Sequence, residues 1–201
     1  MPPRPGDEEL SILVATWNVG NQRPDPHELE HWLPMDGGNH DLIVIGTQEN
    51  AFKRERGSVM PSASDRGSIK DDEDEDEESS AIESSIAPAA ALGGSRRAGR
   101  QHAWDAMCAE RLGSGWTLAA HVVLREMRLS VYCTRARFFA ADVSDVATAY
   151  AATGLAGVVG NKGGLVARLT VGGVSLAFCS CHLEAHEGAG HCAGRNAMCR
   201  R

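Results

Sequence analysis

The sequence contains no apolar run long enough to span a bilayer. Its first nine residues, Met1–Glu9, are rich in proline and acidic residues, and they lack the basic and apolar regions of a signal peptide. These absences predict a flexible leader over residues 1–9 and a cytoplasmic protein that can contact a membrane surface peripherally. In such a protein the six cysteines are expected to be reduced thiols.

Concentrated basic charge is also absent. The formal net charge is -7, but the run Asp71–Glu78 supplies eight of the 27 acidic residues. Without that run, 19 acidic residues stand against 20 Lys and Arg residues, so the rest of the chain is close to neutral. A nuclease needs a basic groove for the nucleic-acid backbone. We therefore expect no nucleic-acid partner, and nothing in the sequence indicates an oligomeric state.

Aromatic residues are missing from Lys53–Arg100, which is rich in Ser, Gly, Ala, Asp and Glu. Such a composition cannot bury enough apolar surface to offset the entropy lost on ordering. We therefore predict a disordered acidic insertion over residues 53–100, inside a domain that occupies residues 10–201. The run Asp71–Glu78 lacks the alternating ligands and the glycine of an EF-hand loop, so it is interpreted as a solvated tether.

The remaining chain consists mainly of apolar segments with strand character. Leu10–Val19 and Asp41–Gln48 are apolar and rich in β-branched residues, and both are predicted to be buried strands. A short helix opened by Asp25 and Pro26 separates them, so they should be parallel neighbours. The pattern then predicts a helix at Trp104–Leu112, a hairpin of strands at Trp116–Leu124 and Arg128–Cys133, and a strand near Asp142–Ala147. Two further strands, Leu165–Val171 and Val174–Cys181, flank the Gly172-Gly173 pair, which predicts a second hairpin.

Asn18 and Glu49 stand just past the carboxyl ends of the two predicted parallel strands. Parallel neighbours that end together place such side chains on the same rim of a sheet. An amide oxygen and a carboxylate are hard ligands that suit Mg²⁺, and a metal ion there would polarise a phosphoryl oxygen. The alternative is that Asn18 caps a turn and Glu49 is merely exposed.

His182 follows Val174–Cys181, and it would reach the same rim if that strand joined the same sheet. An imidazolium there would stabilise charge that develops on a phosphate. The loop 160–164, Gly-Asn-Lys-Gly-Gly, offers backbone N–H groups and one cation for holding a phosphate. No Ser or Thr follows its lysine, so it is not a P-loop. A glycine-rich turn between strands is the competing interpretation.

Cysteine and histidine cluster near the C-terminus, which raises the question of a zinc site. The cluster comprises Cys179, Cys181, His182, His186, His191, Cys192 and Cys199. No Cys-x-x-Cys pair is present, and alternation along a strand would direct His182 away from the two cysteines that precede it. The spacing therefore argues against a structural zinc ion.

Four stretches, in their order along the chain, resemble the inositol polyphosphate 5-phosphatases of the endonuclease/exonuclease/phosphatase superfamily. They are Thr16–Gly20, Asp41–Glu49, Thr153–Gly164, and Ser180–His186 with the following Arg195-Asn196 pair. The first two stretches occur across the superfamily, nucleases included. The Thr-Gly…Gly-Asn-Lys-Gly stretch followed by Ser-x-His-Leu is much more specific to the 5-phosphatases.

The resemblance implies a fold, a reaction and a set of site residues. The fold is a mixed-sheet, two-layer α/β sandwich of the DNase I-like type, with the site where strand ends converge. The reaction is Mg²⁺-dependent hydrolysis of the 5-phosphate of a phosphoinositide or a soluble inositol phosphate. Asn18 and Glu49 would be the metal ligands, and His182 would contact the scissile phosphate. The substrate-binding residues would be Asn161, Lys162, Arg195 and Asn196.

Three segments that the family carries are not found in this sequence: Gly-Asp-x-Asn, Trp-Cys-Asp-Arg and a final Ser-Asp-His. They would supply the aspartate that activates the attacking water and a second phosphate-binding histidine. A positioned base contributes about 10²–10⁴-fold, so we expect little or no activity from the isolated chain. We also expect an incomplete sandwich, with the second sheet largely missing and one apolar face uncovered. The alternative function is a catalytically dead module that binds phosphoinositides or a protein.

Overall fold

The structure is a computed structural model that describes residues 9–51, 84–85, 103–153 and 162–200. The described strands are β1 (Ile12–Asn18), β2 (Leu42–Gln48), β3 (Ser84–Ser85), β4 (Trp116–Leu124), β5 (Met127–Thr134), β6 (Val143–Ala152), β7 (Gly163–Val171) and β8 (Val174–His182). The described helices are α1 (Pro26–Leu29), α2 (Ala103–Leu112), α3 (Arg135–Phe139) and α4 (Ala189–Met198), with a 3₁₀ turn at Met35–Gly37. The predicted leader, except for Glu9, and the predicted insertion 53–100, except for β3, lie outside the described residues.

The first sheet has the strand order β1-β2-β5-β4-β3. β1 and β2 run parallel, from Ile12 opposite Leu42 to Asn18 opposite Gln48, which confirms the crossover expected between them. β4 and β5 form the predicted hairpin, and β5 pairs antiparallel with β2. The carboxyl end of β2 therefore lies at the same end of the sheet as the β4–β5 turn, where the N–H of Asn50 donates to the carbonyl of Glu126 at 2.9 Å.

A second, antiparallel sheet is formed by β6, β7 and β8, with β7 in the middle. β7 and β8 pair across the predicted Gly172-Gly173 turn. Alternate residues of β7, including Leu165 and Leu169, are fully buried against the first sheet, in one core with Val44 and Leu129. The expectation that the second sheet is largely missing is therefore wrong, because the alternating apolar face of β7 provides the second layer.

Short helices and turns cover the opposite face of the first sheet. Asp25 accepts a hydrogen bond from the N–H of His27 at 2.9 Å and caps α1, with Pro26 in the first turn as predicted. α1 itself ends at Leu29, but Leu33 in the following turn remains buried. Both leucines pack with Leu112 of α2 and Ile43 of β2. Among the described helices, none combines the length and the apolar character needed to cross a membrane.

β1 is a strand as predicted, but it is not buried. β2 is buried along its whole length, whereas β1 alternates between half-buried and exposed residues. Val14, in the middle of β1, is 63% exposed. The reason is position, because β1 forms the edge of the described sheet and the second sheet packs mainly over β4 and β5.

Candidate active site

Glu49 and Asn18 lie where the two parallel strands end, as predicted. Main-chain hydrogen bonds join the strand ends, from Val19 N to Gln48 O at 2.9 Å and from Asn21 N to Glu49 O at 2.6 Å. Glu49 has a φ of 50°, a left-handed conformation that few residues other than glycine adopt. The chain thus turns sharply at the rim, and the side chain of Glu49 remains 32% exposed.

The side chain of Asn18 has a local task. Its Oδ1 accepts a hydrogen bond from the N–H of Gly20 at 3.0 Å, so Asn18 does cap a turn. A carbonyl oxygen has two lone pairs, however, and one of them stays available for a ligand. Because Asn18 is opposite Gln48 in the β1–β2 register, this oxygen lies at the same rim as Glu49.

His182 lies between Glu49 and Lys162. Its Nε2 is 3.6 Å from Oε1 of Glu49 and 2.5 Å from Nζ of Lys162. With Lys162 as an ammonium group, which has only N–H donors, Nε2 of His182 is the acceptor in this contact. A carboxylate, an imidazole and an ammonium group therefore meet at one rim, although Lys162 stands 113 positions after Glu49 along the chain.

His182 reaches this rim from the second sheet, and not from the first sheet as the prediction supposed. Gln48 holds the two sheets together there. Its Nε2 donates to Oγ1 of Thr16 at 3.2 Å and to Oγ of Ser180 at 3.1 Å. Gly46 permits this close approach, because a Cβ at that position would lie 2.7 Å from Oγ of Ser180.

Sequence reasoning did not assign a role to Gln48 or Ser180. The available signal was their position, since Gln48 directly precedes Glu49 and Ser180 stands two residues before His182. Residues two apart in a strand share a face. Ser180 therefore points in the same direction as His182, toward the first sheet, and it is buried.

Arg195 and Asn196 lie on α4 and bond within the C-terminal segment. Nη1 of Arg195 donates to the carbonyls of Glu184 at 3.3 Å and of His186 at 2.7 Å. Nδ2 of Asn196 is 3.9 Å from Sγ of Cys192. These bonds attach α4 to the segment after His182, so Arg195 has a structural task in this arrangement. Asn161 lies outside the described residues.

The cysteine–histidine cluster is spread over several environments. Cys179 and Cys181 share the outer face of β8, and His182 points the other way, as alternation predicts. Nδ1 of His191 instead lies 2.7 Å from Oε1 of Glu184. In the part of the chain that the structure describes, no three His, Cys, Asp or Glu side chains are arranged to hold a metal ion.

Glu49 and Asn18 nevertheless suit a hard cation that takes most of its ligands from water and substrate. Mg²⁺ is commonly bound by only one or two carboxylates together with waters and phosphate oxygens. The partly exposed carboxylate of Glu49 and the second lone pair of Asn18 Oδ1 provide oxygen donors of this kind at adjacent strand ends. The residues present therefore fit the metal that the resemblance implies.

Comparison with known proteins finds relatives over most of the chain. The model of the endonuclease/exonuclease/phosphatase family 2 matches residues 15–201. Human phosphatidylinositol 4,5-bisphosphate 5-phosphatase A is 28% identical over 187 residues, and the type II inositol polyphosphate 5-phosphatase 15 of Arabidopsis thaliana is 28% identical over 180 residues. These matches cover 90% and 89% of this chain but 14% of each relative, so the chain spans a small part of the curated relatives that it matches.

Solved structures show the fold. The inositol polyphosphate 5-phosphatase domain of SpSynaptojanin, crystallised with inositol (1,4)-bisphosphate and calcium ion, matches with a TM-score of 0.56 at 19% identity, over 94% of this chain and 45% of that chain. A mutant Cimex nitrophorin in its ferrous NO complex matches with a TM-score of 0.52 at 16% identity, over 89% of this chain and 48% of that chain. One fold thus serves different tasks. The predicted two-layer α/β sandwich is confirmed, and the match to the family model over almost the whole sequence shows that the chain belongs to the endonuclease/exonuclease/phosphatase family 2.

Proposed function

We propose that this chain carries the metal-binding and part of the phosphate-binding machinery of a Mg²⁺-dependent phosphatase acting on the 5-phosphate of inositol phosphates or phosphoinositides. The observation that carries the proposal is the meeting of Glu49, His182 and Lys162 at one rim. The motifs that supply these residues resemble those of the 5-phosphatases, and the matched relatives bear such names.

The roles follow from the chemistry of each side chain. Lys162 supplies a mobile positive charge that can leave Nε2 of His182 and bind a phosphate oxygen. His182 then contacts the scissile phosphate, whose bond to the ring oxygen breaks as water attacks phosphorus. Glu49 and Asn18 hold Mg²⁺, which when bound polarises a phosphoryl oxygen and offsets its charge.

Other residues have supporting roles in the proposal. Asn161 and the Arg195-Asn196 pair contribute to the substrate surface, as the resemblance implies. For a phosphoinositide substrate, the protein would work at a membrane surface by peripheral contact. These 201 residues contain no Gly-Asp-x-Asn or Ser-Asp-His segment, so the chain by itself is expected to bind the substrate and release little phosphate.

Binding and turnover of Ins(1,4,5)P₃ separate a hydrolase from a binding module. Calorimetry with and without Mg²⁺ measures affinity, and an inorganic phosphate assay measures turnover. We expect Mg²⁺-dependent binding, which Lys162→Ala weakens about tenfold, since a charge-assisted hydrogen bond is lost. Glu49→Gln should remove most of the Mg²⁺ dependence. Glu110→Gln, at an exposed position on α2, is the matched control and should leave binding unchanged.

Each outcome has a definite meaning. Phosphate release that Glu49→Gln abolishes would establish a hydrolase and contradict the expected inactivity of the isolated chain. Binding without release is the expected result if Glu49→Gln removes its Mg²⁺ dependence, whereas binding that depends on neither Mg²⁺ nor Glu49 favours the binding module. Absence of binding by a chain whose circular dichroism shows a folded protein, with and without Mg²⁺, would overturn the proposal. Ins(1,4)P₂ as competitor tests whether the 5-phosphate is recognised, because it lacks that group.

A further inference from the structure

Two thiols lie side by side on the outer face of β8. Sγ of Cys179 and Sγ of Cys181 are 3.4 Å apart, and both residues are exposed. The residue opposite Cys181 on β7 is Gly164, which has no side chain to separate the thiol from solvent or from its neighbour. The proposed phosphatase chemistry uses neither cysteine.

We propose that Cys179 and Cys181 are a reversible redox modification site, in which a peroxide converts the two thiols to a disulfide and thereby displaces the rim residue His182. The pair stands on its geometry and does not depend on the reaction at Glu49. It requires only the sulfur atoms, an oxidant of the peroxide class and access from solvent.

The order of events follows from the environments of the two thiols. Burial raises the pKa of Cys181 to about 11, and the adjacent Cys179 and the nearby Cys199 act in the same direction. Cys181 therefore stays protonated at neutral pH, and thiols react with peroxides as thiolates. The first attack is therefore assigned to Cys179, the other member of the pair.

The two steps balance. The Cys179 thiolate attacks one peroxide oxygen, the O–O bond breaks, and the products are a sulfenic acid and hydroxide. Cys181 sulfur then attacks the sulfenic sulfur, the S–O bond breaks, and the proton of Cys181 leaves with the hydroxyl group as water. Two electrons pass from the thiols to the peroxide, and a reducing thiol reverses the change by exchange.

The disulfide would strain the strand beside the site. Cα atoms two residues apart in a strand are separated by about 6.6 Å, near the upper limit of about 6.8 Å for a disulfide. Closing the pair must also bring the two sulfur atoms from 3.4 Å to about 2.04 Å, so we expect the strand to bend at Ser180. The Oγ of Ser180 accepts the hydrogen bond of Gln48 that joins the sheets, so the bend reaches His182, the neighbour of Cys181. Strained disulfides of this kind are readily reduced.

Peptide mapping tests the modification itself. The full chain is treated with hydrogen peroxide, the remaining thiols are alkylated, and chymotrypsin releases Cys179–Leu183 by cleavage after Phe178 and Leu183. We expect this peptide to lose two hydrogens, to take no alkyl group, and to become alkylatable after dithiothreitol. Cys199→Ser is the matched control that leaves the pair intact and should give the same result, whereas Cys179→Ser should abolish it.

The effect on the rim has a separate readout. The imidazole ring signals of His182, assigned by their loss in His182→Asn, should shift on oxidation and return on reduction. A doubly alkylated peptide after peroxide, or a bridge from Cys181 to Cys199, would overturn the redox pair. A disulfide that leaves the His182 signals in place would overturn the coupling to the rim. Neither result bears on whether the chain binds Ins(1,4,5)P₃, so failure of this inference and of the proposed function are distinguishable.

Discussion

β1 and β2 are neighbouring strands of similar composition in very different environments. Val14 and Val44 are partners in the parallel register, yet Val14 is 63% exposed and Val44 is 2% exposed. β2 has a strand on each side and packed side chains on both faces. β1 pairs with β2 alone among the described strands and lies beyond most of the second sheet. The neighbours of a strand, rather than its residue types, decide its burial.

The same contrast divides the candidate site. Glu49 follows the buried central strand β2, whereas His182 ends β8, an edge strand of the described second sheet with many exposed residues. Glu49 therefore follows a strand that is packed on both faces. The position of His182 depends on a few contacts, such as the hydrogen bond between Gln48 and Ser180. The variants below test this difference.

The largest difference in stability is expected between alanine substitutions at two adjacent glycines, which lie on opposite faces of β7. In Gly163→Ala, the new Cβ would press on the carbonyl oxygen of Ala151 and lie 2.8 Å from Cδ2 of Leu124. Crowding a packed interior in this way should cost about 3 kcal/mol. In Gly164→Ala, the Cβ would meet Sγ of Cys181 at an ordinary 3.6 Å, and the change should stay within about 0.5 kcal/mol. Urea unfolding measures both, and equal midpoints would contradict the assigned faces.

The register partners Val44 and Val14 offer the most direct comparison. Val44→Ala removes two buried methyl groups, which should lower the free energy of unfolding by about 2 kcal/mol. Val14→Ala removes the same groups from a mostly exposed position, where about 0.5 kcal/mol is the expected limit. Thermal or urea unfolding of the two variants tests this. A large loss in Val14→Ala would mean that another part of the protein covers β1.

A smaller loss of stability is expected when either acceptor of the Gln48 hydrogen bonds is removed. Ser180→Ala removes a buried acceptor and should cost about 1 kcal/mol. Thr16→Ala removes the acceptor on the exposed strand β1 and should cost less than about 0.5 kcal/mol. Because Ser180 also supports the strand that ends at His182, only Ser180→Ala should change the His182 ring signals. Equal shifts of the His182 ring signals in both variants would contradict the larger role assigned to Ser180.

The smallest effect concerns the opposite end of β1 and β2. Burial alone would raise the pKa of Asp41, but a hydrogen bond from Arg137 at 2.8 Å, the N–H of Ser11 and the charges of Arg137 and His40 together lower it. A carboxyl group with a lowered pKa in the folded state stabilises the fold above its unfolded pKa, and the contribution disappears as the pH falls through the folded value.

For this partly exposed pair the contribution should stay under about 1 kcal/mol. Urea unfolding between about pH 6 and pH 3 should therefore show a steeper loss of stability for the wild-type chain than for Asp41→Asn. Identical pH profiles would show that Arg137 contributes nothing through Asp41. Asp36→Asn, at an exposed position outside this pair, serves as the control.

Much of the local structure could be predicted from sequence because it depends on near neighbours. The Asp25-Pro26 pair begins α1, and Gly172-Gly173 turns β7 into β8. The predicted strand near Asp142–Ala147 proved longer, since β6 extends to Ala152 by pairing with β7. Partner strands decide where a strand ends, and the residues after Ala147, three of which are alanine, give little periodic signal.

The sequence by itself determined the approximate positions of seven of the eight described strands, all except β3. It also determined the parallel pair with Asn18 and Glu49 at its ends, and the alternation that separates His182 from Cys179 and Cys181. Each of these follows from backbone geometry over a few residues. Only the tertiary structure decided that β8 belongs to a second sheet, that β1 is exposed, and that His182 meets both Glu49 and Lys162. The reason is that sheet membership and burial depend on packing between segments far apart in the chain, which no local pattern records.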